Sequence, residues 1–404
     1  MDEMKKLRAV HPFPARMASS IALDALVNTG EKSLKVLDPM SGSGTSLVVA
    51  RFFGHKAYGF DSDPLAQIIS GTWTSNIDEE KIRNLTVKII ADAKKNSKRM
   101  KLSSAYPSNA DEETKKFIRF WFNFTSRRQL RALATEIEKI TNKNLKRIMW
   151  CAFSRLIIAK EKGASYARDL SHSRPHRVLD KNCIKPLYEF NEAVEVIIKN
   201  NPFKNEKTNL PLAQITPGDA REIPLPDNYI DLVITSPPYL NAIDYIRCSK
   251  FSLVWMGHPI SKLRGVRTKN IGTEAAGSFT NIPKHIRKIM LVMGDIDKLP
   301  ARYQRMIAQY VSDMSKVIKE IKRVLVRGGK CVLVIGDSTL LGIFLKNSQA
   351  LIKLGALHGL SLEQVTTRKL LTNHRYLPPP TSKKAGGALQ ARMGEELVIT
   401  FTSA

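Results

Sequence analysis

The sequence has no long apolar run, no signal peptide and little cysteine. No apolar stretch among the 404 residues approaches the ~20 residues needed to cross a bilayer. The basic N-terminal segment 1–17 also lacks the apolar core of a signal peptide. The four cysteines are scattered, without the C-x-x-C spacing of a metal site. We therefore expect reduced thiols, no bound metal, no membrane partner, and a soluble, cytoplasmic protein.

Acidic residues are also scarce relative to basic ones. The 37 Asp and Glu residues oppose 64 Lys and Arg residues, which gives a net charge of +27 and an isoelectric point near 9.9. An excess of this size repels itself in a compact state and is typical of proteins that bind polyanions. Nucleic acid is the first candidate partner and an anionic membrane surface the second. The length predicts one large domain with an insertion, or two domains.

A glycine turn and two strand-end acids stand out near the N-terminus. A short apolar strand ends at Asp38, Gly42 and Gly44 make a tight turn, and a helix begins at Thr45. A second strand ends at Asp61, 23 positions after Asp38. This spacing is typical of a βαβ unit in which the second acid accepts hydrogen bonds from a ribose. The turn lacks the G-K-[ST] of a P-loop, and Asp61 has the alternative role of capping the next helix.

The chain becomes polar, basic and helical between residues 77 and 211. Apolar residues there recur at helical spacing, which predicts a helical insertion that divides the chain into segments 1–76, 77–211 and 212–404. One loop-like stretch of the insertion is rich in Ser, Arg and His, and we interpret it as contacting phosphate groups in preference to binding zinc. A solvated loop is the alternative. The residues concerned are Arg168, Arg174, His176 and Arg177.

A buried strand then runs into a rigid polar corner. The apolar run 229–235 is followed by Ser236, Pro237, Pro238 and Tyr239. Two prolines in succession end a strand because neither can donate a backbone hydrogen bond. The corner combines a hydroxyl, a carbonyl of fixed direction and an aromatic ring, and its position downstream of the glycine turn favours a functional site over a plain turn.

Two later features bear on the fold and on the site. A long helix is expected from Tyr303 to Val324 and a buried strand from Cys331 to Ile335. Gly328 and Gly329 are expected to end the helix. Asp244 and Tyr245, beyond the polar corner, either line the same site or begin a helix.

Five motifs in this order resemble those of the amino-group DNA methyltransferases that use S-adenosylmethionine. They are HPFPARM (11–17), DPMSGSGT (38–45), GFDSDP (59–64), GDA (218–220) and TSPPY (235–239). The SPPY form is associated with methylation of cytosine N4. The resemblance implies an α/β, class I methyltransferase fold, which is a Rossmann-like, mostly parallel sheet of seven strands with an antiparallel last strand. A helical insertion would interrupt it.

The resemblance also implies roles for individual residues. Ser236 and Pro237 would accept hydrogen bonds from the exocyclic amine of a base flipped out of DNA, Pro238 would hold the corner rigid, and Tyr239 would stack on the base. The residues implied in S-adenosylmethionine binding are Phe13, Pro14, Asp38, Pro39, Gly42, Gly44, Thr45, Asp61, Asp219 and Ala220.

The expected function is therefore site-specific methylation of cytosine N4 in duplex DNA. Adenine N6 is the nearest alternative target, and guanine N2 in RNA is a more distant one. A DNA-binding partner subunit without catalysis is an alternative of another class. A companion restriction endonuclease is a candidate partner.

Overall fold

The computed structural model describes most of the chain. The described residues are 7–14, 16–27, 33–159, 162–168, 170, 175–179, 183–204, 209–240, 245–272, 279, 281–369 and 394–404. None of the helices within these ranges is long and apolar enough to cross a membrane.

Strands and helices alternate at both ends of the described chain. The strands are β1 (Lys35–Asp38), β2 (Lys56–Asp61), β3 (Ala167–Arg168), β4 (His176–Arg177), β5 (Gln214–Pro217), β6 (Ile230–Thr235), β7 (Leu325–Ile335), β8 (Ser338–Leu340), β9 (Ile343–Leu345), β10 (Leu360–Lys369) and β11 (Glu395–Ser403). The helices are α1 (Ser19–Val27), α2 (Thr45–Phe52), α3 (Pro64–Trp73), α4 (Glu79–Arg99), α5 (Glu112–Trp121), α6 (Phe124–Glu138), α7 (Lys143–Arg155), α8 (Pro186–Asn200), α9 (Tyr245–Leu253), α10 (Ile260–Lys269), α11 (Lys284–Met290), α12 (Ala301–Val324) and α13 (Asn347–Leu357).

Seven of these strands form one sheet in the order β10-β11-β7-β6-β1-β2-β5. The five strands from β7 to β5 are parallel to one another. The last strand, β11, lies between β7 and β10 and is antiparallel to both. This is the arrangement expected of a class I, Rossmann-like methyltransferase sheet, so the predicted fold class is confirmed.

Helices cover both faces of the sheet because its central strands are apolar on both sides. Val36 and Leu232 face a cluster that includes α1 and α2, whereas Leu37 and Val233 face a cluster built on α12 and α13. Buried parallel strands read as continuous apolar runs for this reason. The parallel arrangement brings the carboxyl ends of five strands to one edge.

The helices α4 to α8 lie between α3 and β5 in the chain. Four of them begin at an Asp or Asn whose side chain accepts a hydrogen bond from a backbone N–H of the first turn, which is the preferred N-cap chemistry. These caps are Asp78, Asp111, Asn123 and Asn142. The helices share one apolar cluster with Val48 of α2 and Trp73 of α3, so they pack as an extension of the α/β core. The predicted boundaries at 77 and 211 stay a prediction.

One buried arginine ties the two ends of this helical region together. Arg51 on α2 donates from Nε to the carbonyl oxygen of Pro211 at 3.0 Å. Its other nitrogens donate to the Thr74 carbonyl and to the Asn76 side chain, and its guanidinium lies 3.9 Å from the Phe203 ring centroid. The entry and exit segments of the helical region therefore share one cation.

The long helix ends at Val324, as predicted, but Gly328 and Gly329 do not end it. Helix α12 ends at Val324, and β7 begins at Leu325, which pairs with Ile230 of β6. The pairing register then shifts, so that the glycine pair lies in a bulge of β7. A Cβ on Gly329 would lie 3.1 Å from the Asp231 carbonyl oxygen. Glycine is therefore needed here because the backbones of two strands approach closely, and not because a helix ends.

Candidate active site

The carboxyl ends of β1, β2, β5, β6 and β7 converge on one edge of the sheet. Asp38 ends β1, Asp61 ends β2, and Asp219 follows β5. Ser236 follows β6, and Gly336 follows β7. Ligands of open α/β sheets bind at this edge. The structure thus brings together the predicted acids and the predicted polar corner.

The glycine turn between β1 and α2 has a backbone that only glycine accepts easily. Gly42 has φ +48° and Gly44 has φ +87°, both in the left-handed region. A Cβ on Gly44 would lie 2.7 Å from the Ser70 Cβ, so a side chain is also excluded sterically. Phe13 lies over the turn, since its Cε1 would be 3.7 Å from a Cβ on Gly42.

Asp38 connects the glycine turn to the polar corner. Its Oδ1 accepts hydrogen bonds from the Thr235 hydroxyl at 2.7 Å and from the Met40 N–H at 3.2 Å. Its Oδ2 accepts a hydrogen bond from the Ser46 hydroxyl. Burial raises the pKa of Asp38 to about 6, although these hydrogen bonds oppose the rise. The corner after β6 is therefore held in register with the turn after β1.

Asp61 braces the same turn from β2. Its Oδ2 accepts from the Gly42 N–H at 2.8 Å, and its Oδ1 accepts from the Asp63 N–H at 2.8 Å. Burial raises its pKa. Each carboxylate oxygen can accept more than one hydrogen bond, so acceptor capacity remains for a ribose.

Asp63, not Asp61, caps the helix that follows. The Asp63 side chain accepts from the Leu65 N–H at 2.9 Å as the N-cap of α3. The alternative that Asp61 is merely a helix cap is therefore wrong. Burial, together with the neighbouring Asp61, raises the pKa of Asp63 to about 7.

Asp219 reaches the edge already paired with an arginine that sequence reasoning missed. Its carboxylate accepts from Arg221 Nη2 at 2.6 Å and from Nε at 3.0 Å. Arg221 also donates to Asp313 of α12 at 2.9 Å. Burial raises the pKa of Asp219, but the hydrogen bonds and charge of Arg221 outweigh it and leave that pKa below its ordinary value. In the sequence, only the two-residue separation of Asp219 and Arg221 indicates that they could pair.

Two side chains of the polar corner, the Ser236 hydroxyl and the Tyr239 ring, are held in place by β7 and the residue after it. The Ser236 hydroxyl donates to the Val334 carbonyl oxygen on β7 at 3.2 Å. A hydroxyl whose hydrogen is committed in this way presents its lone pairs as acceptors. The Tyr239 ring lies against the backbone of Gly336, where an added Cβ would be 2.9 Å from Cε2. Pro237 is buried, whereas Ser236, Pro238 and Tyr239 are partly exposed.

A segment after α10 covers this corner, which no sequence motif indicated. The Lys269 carbonyl accepts from Arg221 at 2.7 Å, and the Asn270 side chain accepts from the Ser62 hydroxyl at 3.1 Å. A Cβ on Gly272 would lie 3.3 Å from the Tyr239 carbonyl oxygen. Residues 269–272 therefore contact groups beside three of the five motifs.

The remaining predicted cofactor residues line or support the turn. Phe13 stacks on Tyr245, with centroids 5.7 Å apart and an interplanar angle of 6°. Tyr245 is thereby placed against the N-terminal motif as the first residue of α9. Asp244 lies outside the described residues. The other members of the set are buried, namely Pro14, Pro39, Thr45 and Ala220.

Three of the four residues predicted to contact phosphate, Arg168, His176 and Arg177, lie on the paired strands β3 and β4 of the helical region. Arg168 pairs with His176 across the β3–β4 ladder. Arg168 donates to the Ser165 carbonyl at 3.0 Å, and the Arg177 guanidinium lies 4.2 Å from the Phe120 ring centroid. Arg174 falls outside the part of the chain that the structure describes. Within the described ranges, no group of His, Cys, Asp and Glu could hold a metal ion.

The basic excess is distributed unevenly along the chain. Residues 1–76 contain eight Lys and Arg against seven Asp and Glu. Residues 77–211 contain 29 against 16, and residues 212–404 contain 27 against 14. The positive charge thus belongs to the helical region and to the half that carries the polar corner.

Two type II methyltransferases are similar to this chain. M.MvaI of Kocuria varians is 24% identical over 350 residues, which cover 78% of this chain and 73% of the relative. M.BsoBI of Geobacillus stearothermophilus is 26% identical over 253 residues, so that the match spans 57% of this chain and about half, 49%, of the relative. These relatives support a methyltransferase, and their type II designation agrees with the resemblance to the DNA methyltransferase family.

Comparison with solved structures is weaker. A TehB-like SAM-dependent methyltransferase of Corynebacterium glutamicum aligns over 96% of this chain and 87% of that chain. The identity is 10% and the TM-score 0.29, too low to carry an argument, so the fold assignment rests on the strand order itself. No protein-family model matches the chain.

Proposed function

We propose that this protein is an S-adenosylmethionine-dependent DNA methyltransferase that modifies the exocyclic amine of a flipped base, with cytosine N4 as the target. One observation carries the proposal. The Ser236 hydroxyl donates its hydrogen to Val334, while Thr235, the residue before it, is bonded to Asp38 of the glycine turn. An acceptor for an amine and a nucleoside-binding turn are thus fixed relative to each other.

The glycine turn is the cofactor side of this site. Asp61 accepts hydrogen bonds from the ribose hydroxyls, since it already braces Gly42 and lies at the end of β2. Asp219, held by Arg221, contacts the adenine amine at the end of β5. Phe13 and Pro14 shape the methionine end above Gly42. The sulfonium of S-adenosylmethionine supplies the methyl group.

The polar corner is the base side. An exocyclic amine is a weak nucleophile because its lone pair is delocalised into the ring. Acceptors at Ser236 Oγ and the Pro237 carbonyl favour a tetrahedral nitrogen and the positive charge that develops on it during transfer. The Tyr239 ring stacks on the base, and its position on Gly336 fixes the plane of that stack. Such a site needs its acceptors placed within about 0.5 Å.

Duplex DNA is the proposed partner. A base inside the stack cannot reach a corner at the sheet edge, so it must be extruded. Lys and Arg of residues 77–404 neutralise phosphates around it, which accounts for the charge of +27. Arg168, His176 and Arg177 are proposed phosphate contacts within this basic region.

Adenine N6 is the second candidate target, because the same two acceptors would serve either amine. A partner subunit without catalysis would not need a hydroxyl whose proton is already committed. The SPPY resemblance favours cytosine over adenine. A companion restriction endonuclease is proposed from that resemblance alone.

Expression in a host free of DNA methylation tests the function directly. Sequencing that host's genome for modified bases would report the base, the modified atom and the recognition site together. We expect N4-methylcytosine in one short sequence context with the native protein. Ser236→Ala should abolish the mark, whereas Ser361→Ala, an exposed serine on β10, should leave it intact. A genome without new marks would contradict the proposal.

Cofactor binding is tested separately by calorimetry. Asp61→Ala should weaken S-adenosylmethionine binding at least about tenfold, since it removes both the ribose acceptor and the brace on Gly42. Tyr239→Ala should leave that affinity unchanged and reduce methyl transfer severely. Unaltered cofactor affinity in Asp61→Ala would reject the ribose role.

A further inference from the structure

A small hairpin follows β7 directly at the catalytic edge. β8 and β9 pair antiparallel from Ser338 and Leu345 to Leu340 and Ile343, so the turn consists of two residues, Leu341 and Gly342. The hairpin base is rigid because the buried Asn347 donates to the Gly336 carbonyl at 3.0 Å and to the Ser338 hydroxyl at 3.1 Å. The base of the hairpin is therefore anchored at Gly336, the residue against which the Tyr239 ring packs.

The tip of this hairpin holds an unfavourable residue. Leu341 has φ +51° and Gly342 has φ +84°, as in the hairpin turns that favour Asn-Gly or Gly-Gly. A bulky residue in this region of backbone space is strained, and such strain concentrates at functional positions. Leu341 is nevertheless 62% exposed, so packing within the protein does not compensate for it.

The surroundings of the tip suit a nucleic acid more than a protein core. Leu291, on the turn 291–293, is 61% exposed, and the Met293 carbonyl of that turn accepts a hydrogen bond at 2.8 Å from the N–H of Lys346, which follows the hairpin base. Lys288 on α11 and Lys346, directly after β9, are exposed. Proteins insert exposed apolar side chains such as leucine between base steps, while cations neutralise the phosphates nearby.

The tip also has the reach that this role requires. Leu341 is five positions after Gly336, and an extended chain rises about 3.4 Å per residue. The tip therefore lies at most about 17 Å from Gly336, against which the Tyr239 ring packs, a distance comparable with the ~12 Å width of the DNA major groove.

We propose that Leu341 is a wedge that enters the DNA stack and occupies the gap left by the flipped base. The inference rests on the proposed function, because it assumes a flipped base at Tyr239. Leu341 is a positioning residue that stabilises the extruded state and takes no part in methyl transfer itself.

The test compares two duplexes that carry the site mapped in the methylation-free host. One duplex is fully matched, and the other has an abasic site opposite the target base, so that extrusion costs little. The variant is Leu341→Asn, which creates the favoured Asn-Gly turn and should fold with an unchanged or higher Tm. The control is Leu212→Asn, which changes a leucine of the same 62% exposure just before β5, at the opposite edge of the sheet.

Leu341→Asn should lower kcat/KM on the matched duplex about tenfold or more and stay within about twofold of the native protein on the abasic duplex. Leu212→Asn should match the native protein on both. Equal rates on the matched duplex, or an equal loss on both duplexes, would overturn the wedge while the proposed function stands. A native protein inactive on both duplexes would overturn the proposed function, and the wedge with it.

Discussion

Gly336→Ala tests the polar corner most directly, because it would displace the Tyr239 ring without removing it. A Cβ at this position would lie 2.9 Å from Cε2 and 3.2 Å from Cδ2 of the ring. Carbon atoms in contact normally lie about 3.5–4.0 Å apart, so the ring must shift by about 0.6–1 Å. The φ of Gly336 is outside the left-handed region, so alanine meets no backbone strain there.

A shift of this size has a calculable consequence for catalysis. Misplacing a reacting group by about 1 Å costs roughly 10²-fold in rate. Overpacking at a partly exposed ring should cost about 1–2 kcal/mol of stability at most, so the variant should fold. We therefore expect kcat for methyl transfer to fall about 10²-fold. Cofactor affinity should be unchanged, because Gly42 lies in the turn after β1 and Asp61 ends β2, away from Gly336.

Initial rates of labelled-methyl incorporation into DNA would measure the loss, and calorimetry would measure cofactor affinity. Gly265→Ala is the matched control, since no heavy atom lies within 4 Å of its added Cβ. The double variant Gly336→Ala with Tyr239→Ala should be no slower than Tyr239→Ala alone, because both act through one ring. A native rate in Gly336→Ala, or additive losses in the double variant, would refute the stacking geometry.

Three further predictions concern stability, pH and salt. Arg51→Lys should lower the free energy of unfolding by about 3 kcal/mol, because carbonyls at both ends of the helical region lose their donor; an unchanged urea midpoint would reject this tie. The pKa of Asp63 is about 7, above its ordinary 3.8, so the folded protein keeps a proton that the unfolded chain releases, and this group's contribution to stability falls as pH rises from about 4 to 7. Asp63→Asn should remove about 2–3 kcal/mol of that fall between about pH 5 and pH 8, measured by urea unfolding. An identical pH dependence in native protein and variant would exclude Asp63 as its source. DNA affinity should drop by about 10³-fold or more between roughly 50 and 200 mM salt, as expected for six or more phosphate contacts; a flat titration would exclude the electrostatic role of the basic region.

Local signals succeeded where the cause of a structure is itself local. The strands that end at Asp38 and Asp61 were predictable because apolar runs stop at glycine and proline. The end of the long helix at Val324 was predicted as well, but its assigned cause, Gly328 and Gly329, was wrong, because the sheet pairing of Leu325 with Ile230 follows Val324 directly. Local propensity is weak evidence when a tertiary pairing competes with it.

The polar corner was predictable as a motif, but the orientation of its side chains was not. The sequence places Ser236 after a buried strand, yet only the structure directs its hydroxyl hydrogen to Val334. The sequence also did not predict that residues 269–272 cover the polar corner, or that Arg221 pairs with Asp219. Each depends on which distant segment lies alongside, and hydrogen bonds between distant segments leave no periodicity in the sequence.

The sequence by itself determined the class of fold, the order of the motifs and the charge that suits a nucleic acid. Alternating apolar strands and amphipathic helices leave few ways to bury the apolar surface, and parallel strands bring their carboxyl ends to one edge. Only the tertiary structure decided that Thr235 bonds Asp38, that Arg51 joins both ends of the helical region, and that a strained leucine stands exposed beside the corner. These features arise from contacts across long stretches of chain, which packing selects and composition does not.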